Sequence, residues 1–283
     1  MKILIPYDGS DCSDVALNDL KYAGLPPQAE VKILSVADAW LPIGVDFMKS
    51  GVPGEYVAKS AADAVQFVKK ASEDIKNEFE DWNLQTDILV GSPASVIIEE
   101  AEKWGAQLIV MGSHGRSFLG RLEWGSVSQG VVTHAHCSVR IARRHRKENE
   151  KNVRIIIGTD SSPQSKDTIE KVISRSWPVG SEIKVITVID PDFQESYKRS
   201  NETVKIAEKR FCEAGFLALG VVMGGNPKEV LVQEANEWHA DCIFVGARGG
   251  SQIERTLLLG GVSTAVAMRA HCSVEIVRSD RHM

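Results

Sequence analysis

Met1-Lys2-Ile3-Leu4-Ile5-Pro6-Tyr7-Asp8 returns 152 residues later as Val153-Arg154-Ile155-Ile156-Ile157-Gly158-Thr159-Asp160, and this pair decides the fold. The same displacement carries Glu30-Val31-Lys32-Ile33-Leu34-Ser35-Val36-Ala37-Asp38 onto Glu182-Ile183-Lys184-Val185-Ile186-Thr187-Val188-Ile189-Asp190. Further on, Pro93, Ala101, Trp104 and Gly112 match Pro227, Ala235, Trp238 and Gly246 at a displacement of 134. His136-Cys137-Ser138-Val139 matches His271-Cys272-Ser273-Val274 at 135. The second copy therefore lost 18 residues between the second and third blocks (152 falls to 134) and gained one near its end. A register held across so many separate blocks is a tandem duplication. Within 283 residues it gives two domains of ordinary size, 1–143 and 153–283. Arg143-Arg144-His145-Arg146-Lys147-Glu148-Asn149-Glu150-Lys151-Asn152 lies between them, charged and without apolar periodicity, so it reads as a solvated linker.

Each copy alternates short apolar runs with amphipathic segments. Ile3–Ile5, Val31–Val36, Ile88–Val90, Leu108–Met111 and Val139–Ile141 are near-continuous apolar runs, the pattern of strands buried on both faces of a parallel sheet. Ser92-Pro93 offers a cap and a first-turn proline ahead of Ile97, Ala101 and Trp104. Asn226-Pro227-Lys228-Glu229 does the same, as a capping-box variant, ahead of Leu231, Ala235 and Trp238. Ala64, Val68, Ala71, Ile75 and Phe79 mark another buried helical stripe. The expected class is α/β, two doubly wound domains with a parallel sheet flanked by helices.

Lys+Arg number 33 against 38 Asp+Glu, a net charge of −5 that argues against a nucleic-acid footprint. The N-terminus meets Pro6 and Asp8 after three apolar residues, too soon for a signal-peptide core, and no apolar run approaches membrane length. The five cysteines (Cys12, Cys137, Cys212, Cys242, Cys272) show no close pairing and read as reduced thiols of a cytoplasmic protein.

In an open α/β sheet, ligands bind beyond the carboxyl ends of the strands, where the strand order reverses. The first strand is followed by Pro6-Tyr7-Asp8-Gly9-Ser10, and the fourth by Gly112-Ser113-His114-Gly115-Arg116 and, further on, Gly125-Ser126-Val127-Ser128. Glycines let backbone N–H groups approach an anion, and Gly125-Ser126 opens a helix whose positive end favours phosphate. The plain alternative is that these glycines only make turns. No Gly-x4-Gly-Lys-Ser/Thr, Gly-x-Gly-x-x-Gly after a first strand, Gly-x-Ser-x-Gly or His-Glu-x-x-His occurs.

Gly112-x2-Gly115-x9-Gly125-Ser126 behind an apolar strand, with Asp8 after the first strand, resembles the nucleotide-binding signature of the universal stress protein family. The resemblance spans nearly the whole chain, once in each half. It implies a five-stranded parallel sheet of the adenine nucleotide α-hydrolase-like kind, binding ATP in some members and no nucleotide in others. Carried over, Pro6, Tyr7 and Asp8 form the segment beside ribose or adenine, Val36 lies near adenine, and Met111, Gly112, Gly115, Gly125, Ser126, Val127 and Ser128 surround ribose and phosphates. By charge, Arg116 and Arg121 either reach the phosphates or are exposed loop arginines. The implied function is an ATP-binding regulatory module of the stress response, with magnesium as an optional companion ion, and at most a slow ATPase. A scaffold without nucleotide and a nucleotide-processing enzyme are the alternatives. The family's pairing of domains through last strands implies Val139–Ile141 beside Val274–Val277, an intramolecular pseudo-dimer. An unknown protein partner and further homodimerisation are left open.

The second half departs from the pattern. Gly246-Ala247-Arg248-Gly249 is followed by ten residues instead of nine before Gly260, or, read from Gly250, by nine with the first glycine pair displaced, and Gly261 replaces Ser126. Asp160 and Ser263 remain. This half is the weaker or empty site. His134-Ala135-His136-Cys137 reads as a helix end running into a strand rather than a metal site, since Arg269 replaces His134 in the other copy. Trp104 and Trp238 read as core, Cys137 and Cys272 as quiet packing residues. Trp40–Tyr56, largely missing from the second copy, is a lid, a partner-binding loop or a loose insertion.

Overall fold

The computed structural model describes residues 1–38, 54–115, 124–143, 152–160, 162–189, 194–248 and 259–279. The first half runs β1 (Lys2–Pro6), α1 (Asp11–Asp19), β2 (Glu30–Asp38), α2 (Gly54–Glu78), β3 (Asn83–Gly91), α3 (Pro93–Trp104), β4 (Leu108–Gly112), α4 (Ser126–His134) and β5 (Ser138–Ala142). The second repeats it as β6 (Arg154–Thr159), α5 (Pro163–Ile173), β7 (Glu182–Ile189), α6 (Gln194–Glu213), β8 (Leu217–Gly224), α7 (Pro227–Glu237), β9 (Cys242–Gly246), α8 (Gly261–Arg269) and β10 (Ser273–Val277).

One ten-stranded sheet carries both halves in the order β3-β2-β1-β4-β5-β10-β9-β6-β7-β8. Pairing is parallel within each half, and β10 runs antiparallel to β5, with Val274 opposite Ile141, Glu275 opposite Arg140 and Ile276 opposite Val139. Strand order reverses at β1, with β2 on one side and β4 on the other, and this is the switch point where α/β proteins bind ligands.

Strand residues sort by face. Leu4, Leu34, Ile109 and Ile141 join Ile156, Ile186, Ile243 and Val274 in one apolar core that continues across the seam between halves. On the opposite face Ile3, Ile5, Val31 and Val110 pack with α1 and α2, and Ile155, Ile157, Val185 and Phe244 pack with α5 and α6. β3 departs from the expectation of a strand buried on both sides. It lies at the sheet edge, with Ile88 36% and Val90 53% exposed, because the 3-2-1-4-5 order leaves it one neighbour.

The helix stripe behaves as its spacing requires, with Ala64, Val68, Ala71 and Ile75 buried and Phe79 packed against them. Asn226 caps α7 by accepting from Lys228 N at 3.1 Å. Ser92 stands at the cap of α3 without a side-chain bond, so the proline and the left-handed Gly105 (φ 73°) set its two ends. Trp104 and Trp238 are half-buried, and each lies under a lysine: Lys32 Nζ is 5.2 Å from the Trp104 ring and 2.6 Å from Glu100, Lys184 Nζ is 4.5 Å from the Trp238 ring and 2.5 Å from Glu234. This repeated lysine–glutamate–tryptophan strut fastens α3 and α7 to the sheet, so the tryptophans are structural.

At the seam, four ionised groups are buried in a row. Arg140 donates to Asp19 through Nε (2.5 Å) and Nη2 (3.1 Å), and its Nη1 lies 3.6 Å from Glu275. Glu275 accepts from both nitrogens of Arg175, at 2.8 Å through Nη1. Arg140 and Glu275 are 1% and 0% exposed. No described helix is long and apolar enough to cross a membrane.

Candidate functional site

The site begins where β1 ends. Ser10 folds back so that its N–H (3.1 Å) and Oγ (2.6 Å) donate to Asp8 Oδ1, while the same Oγ accepts from Ser13 N and caps α1. Gly9 adopts φ +75° beneath the Phe67 ring, which a Cβ would meet at 2.4 Å. Only a glycine fits that turn. The second loop arrives from β4. A Cβ on Gly115 would lie 2.8 Å from Asp8 Oδ2, so the carboxylate and the bare backbone of Gly115 face one another.

The loop is closed at its far end by backbone bonds. Gly125 N donates to Ser113 O at 3.0 Å, and Ser128 Oγ donates to Gly112 O (3.0 Å) and Ser113 O (3.1 Å). Gly125 supplies no side-chain cap, so α4 begins at Ser126 with its first-turn N–H groups lacking a capping side chain. Such a terminus attracts anions through both free donors and helix dipole. Ser126 is exposed on that turn.

Several expected contacts are spent on structure instead. The Tyr7 ring is 2% exposed and packs edge-on against Phe67; its hydroxyl donates to Asp14, and its N–H to Leu34 O. Burial, then the Asp14 bond, pushes that phenol up to about 12. The side chain is thus closed to a ligand. Ser128 is 2% exposed and its hydroxyl donates to the loop carbonyls, which braces the loop. Gly112 serves the packing of α1 on β4, since a Cβ there would stand 2.3 Å from Cys12 O. Pro6 and Met111 are buried, while Val36 and Val127 are half-buried against the core that carries Met111. Arg116, Arg121, Gly249 and Trp40–Pro53 lie outside the described residues, and Gly54–Tyr56 open α2.

The second half reproduces the frame. Asp160 Oδ1 accepts from Ser162 N (3.0 Å) and Ser165 Oγ (2.6 Å). Gly260 N donates to Ala247 O at 2.8 Å, and Ser263 Oγ bonds Ala247 O and Gly260 O. Gly246 ends β9, and Gly261 opens α8 where Ser126 opens α4. Trp124 is replaced by Leu259. Trp124, one position before Gly125 and outside the glycine spacing, has its Nε1 buried with no acceptor among the described residues. Only its place between loop and helix pointed to it.

Among the described residues no group of three His, Cys, Asp or Glu side chains is placed to hold a metal. His136 approaches Glu102 (Nε2 to Oε2, 3.6 Å), and His134 Nδ1 lies 3.0 Å from Gly130 O. Burial pushes the thiols of Cys137 and Cys272 up to about 11 and about 12. Cys212 is exposed on α6. At pH 8, iodoacetamide is expected to alkylate Cys212 well before Cys137 or Cys272, since the thiolate is the reactive form; peptide mass mapping over a time course reads the order.

The family model described as the universal stress protein family matches residues 1–143 and again 152–278. The universal stress protein MJ0531 of Methanocaldococcus jannaschii is 35% identical over 150 residues, covering 52% of this chain and 84% of its own. A universal stress protein of Mycolicibacterium smegmatis is 25% identical over 297 residues, covering 98% of this chain and 96% of its own. Among solved structures, a universal stress protein from Archaeoglobus fulgidus overlays 100% of this chain and 97% of its own at a TM-score of 0.73 and 21% identity, a likeness of fold.

Proposed function

The chain belongs to the universal stress protein family, in two tandem copies, and we propose that its N-terminal half binds ATP and acts as a nucleotide-dependent regulatory module. One observation carries the reading: the uncapped first turn of α4 stands behind a loop whose other end, Gly115, abuts the Asp8 carboxylate. Together they offer donors for a polyphosphate at one end and an acceptor for ribose hydroxyls at the other. Val36, half-buried on β2, supplies the apolar wall that a purine needs. Ser126 adds a hydroxyl on the exposed turn.

These residues suit a nucleotide better than they suit a resident metal. Asp8 Oδ1 is engaged by Ser10, so a magnesium ion would arrive with the phosphates and meet one carboxylate here. When bound, such an ion neutralises phosphate charge. The chain's own residues hold the nucleotide by N–H groups and orient its sugar through Asp8. On this reading the nucleotide is held rather than turned over, and hydrolysis is slow at most. The second half keeps the frame with one hydroxyl fewer and binds more weakly. The setting of this reading is the cytoplasm.

Binding is tested by calorimetry with ATP and by the nucleotide released on acid treatment of purified protein. Ser126→Ala is expected to weaken ATP about tenfold, the loss of roughly 1.4 kcal/mol from one charge-assisted hydrogen bond. Gly115→Val is expected to abolish binding by filling the gap before Asp8. Wild-type protein that carries no nucleotide and shows no heat with millimolar ATP sinks the reading.

A further inference from the structure

The two last strands are nearly one sequence with two differences, one of them of charge. Ser138-Val139-Arg140-Ile141-Ala142 and Ser273-Val274-Glu275-Ile276-Val277 share serine, valine and isoleucine at corresponding places, differ conservatively at the end, and carry opposite charges in the middle. Those two residues stand directly opposite one another in the antiparallel register. The inversion extends to the helices beneath. Asp19 on α1 corresponds to Lys171 on α5, 152 residues on. Each crosses the seam to the serine that opens the other half's last strand: Ser273 Oγ donates to Asp19 Oδ1 at 2.7 Å, and Lys171 Nζ donates to Ser138 Oγ at 3.5 Å. Other seam positions keep their identity. Arg143 and Arg278 correspond, and each donates across the seam to the last turn of the opposite helix, Arg278 Nη2 to Val132 O at 2.7 Å and Arg143 Nη2 to Ala267 O.

We propose that the β5–β10 seam is a keyed interface, which accepts an unlike half and rejects a second copy of the same half. In the chain as it stands, Asp19, Arg140, Glu275 and Arg175 form a row of alternating sign. Two N-terminal halves joined the same way would give Asp–Arg–Arg–Asp, and two C-terminal halves Arg–Glu–Glu–Arg. Each is neutral overall, yet like charges meet at the centre, where neither side chain reaches water. Like charges at close range in a dry seam are costly, whereas the strand valines and isoleucines flanking them (Val139, Ile141, Val274, Ile276) pair Val with Ile either way. Trp177, which seats on Gly24 across the seam where the first half carries Leu25, adds a difference of shape, and the neutral variant below separates it from charge. The inference stands independently of nucleotide binding.

The test uses the full chain with a specific protease site between Lys147 and Glu148, cut after folding. The nicked protein is unfolded in urea, refolded by dilution, and its pairs counted by native mass spectrometry. Random pairing yields unlike and like pairs in equal total amounts. Keyed pairing is expected to favour the unlike pair at least about tenfold. A second nicked chain carries neutral groups at all four places (Asp19→Asn, Arg140→Met, Glu275→Gln, Arg175→Met) and is expected to drift to the random ratio. Random pairing of the wild-type halves, or failure to recover the unlike pair, overturns the proposal. So does undiminished selectivity in the neutral variant, which would assign it to shape.

Discussion

Arg140→Met is expected to lower the melting temperature by roughly 10 °C, from a loss of about 3–5 kcal/mol typical of breaking a buried ion pair from one side. The guanidinium is 1% exposed, and its removal leaves Asp19 (5% exposed) with the Ser273 hydroxyl as its side-chain donor among the described residues. Desolvation of that carboxylate is then uncompensated. Asp19→Asn placed on Arg140→Met should recover a large part of the loss, since an amide is far cheaper to bury than an anion. Urea denaturation of the two variants and the wild type gives the cycle. A change below 1 kcal/mol for Arg140→Met would mean that water reaches the seam.

Gly112→Val carries the second large effect, and it separates packing from binding. The new Cβ would stand 2.3 Å from Cys12 O and 2.6 Å from Cys12 C, both backbone atoms that cannot rotate away. α1 must shift, and with it Ser10, which both caps that helix and holds Asp8. A stability loss of about 2–3 kcal/mol is expected from such overpacking, together with at least about a tenfold loss in ATP affinity from displaced Asp8. Gly115→Ala is the contrasting change. Its Cβ meets only the end of the Asp8 side chain, at 2.8 Å, so stability should hold within 1 kcal/mol while affinity falls. Equal stability losses in the two variants would show that Gly112 and Gly115 play one role.

The repeat, the order of strands and helices, and the segments that meet at the switch point are all legible in the chain. Apolar runs reveal strands because a sheet covered on both faces needs continuous burial, and the duplicated register confirms each run against its copy. The edge position of β3 is not legible, because Ile88–Val90 is as apolar as the inner strands. Its exposure follows from the order of pairing, a long-range property. Motif spacing likewise identifies the loop but not the duty of each residue in it. Gly112 looks like Gly115 on paper; the difference is that the backbone of Cys12, a hundred residues earlier, leans on one of them. Tyr7 and Ser128 have the right chemistry for a ligand, yet Asp14 and the Gly112 and Ser113 carbonyls engage their hydroxyls first. Hydrogen-bond partners of that kind are decided only when the fold closes.

The antiparallel run of β5 beside β10 also fixes where the two halves look. Strands β1 and β4 finish at one rim of the sheet, while β6 and β9 finish at the opposite rim. The two glycine-lined mouths therefore open away from each other, and one small molecule cannot bridge them. A protein that grips one rim leaves the other in view. The molecule is thus two-ended in where its two loops lie.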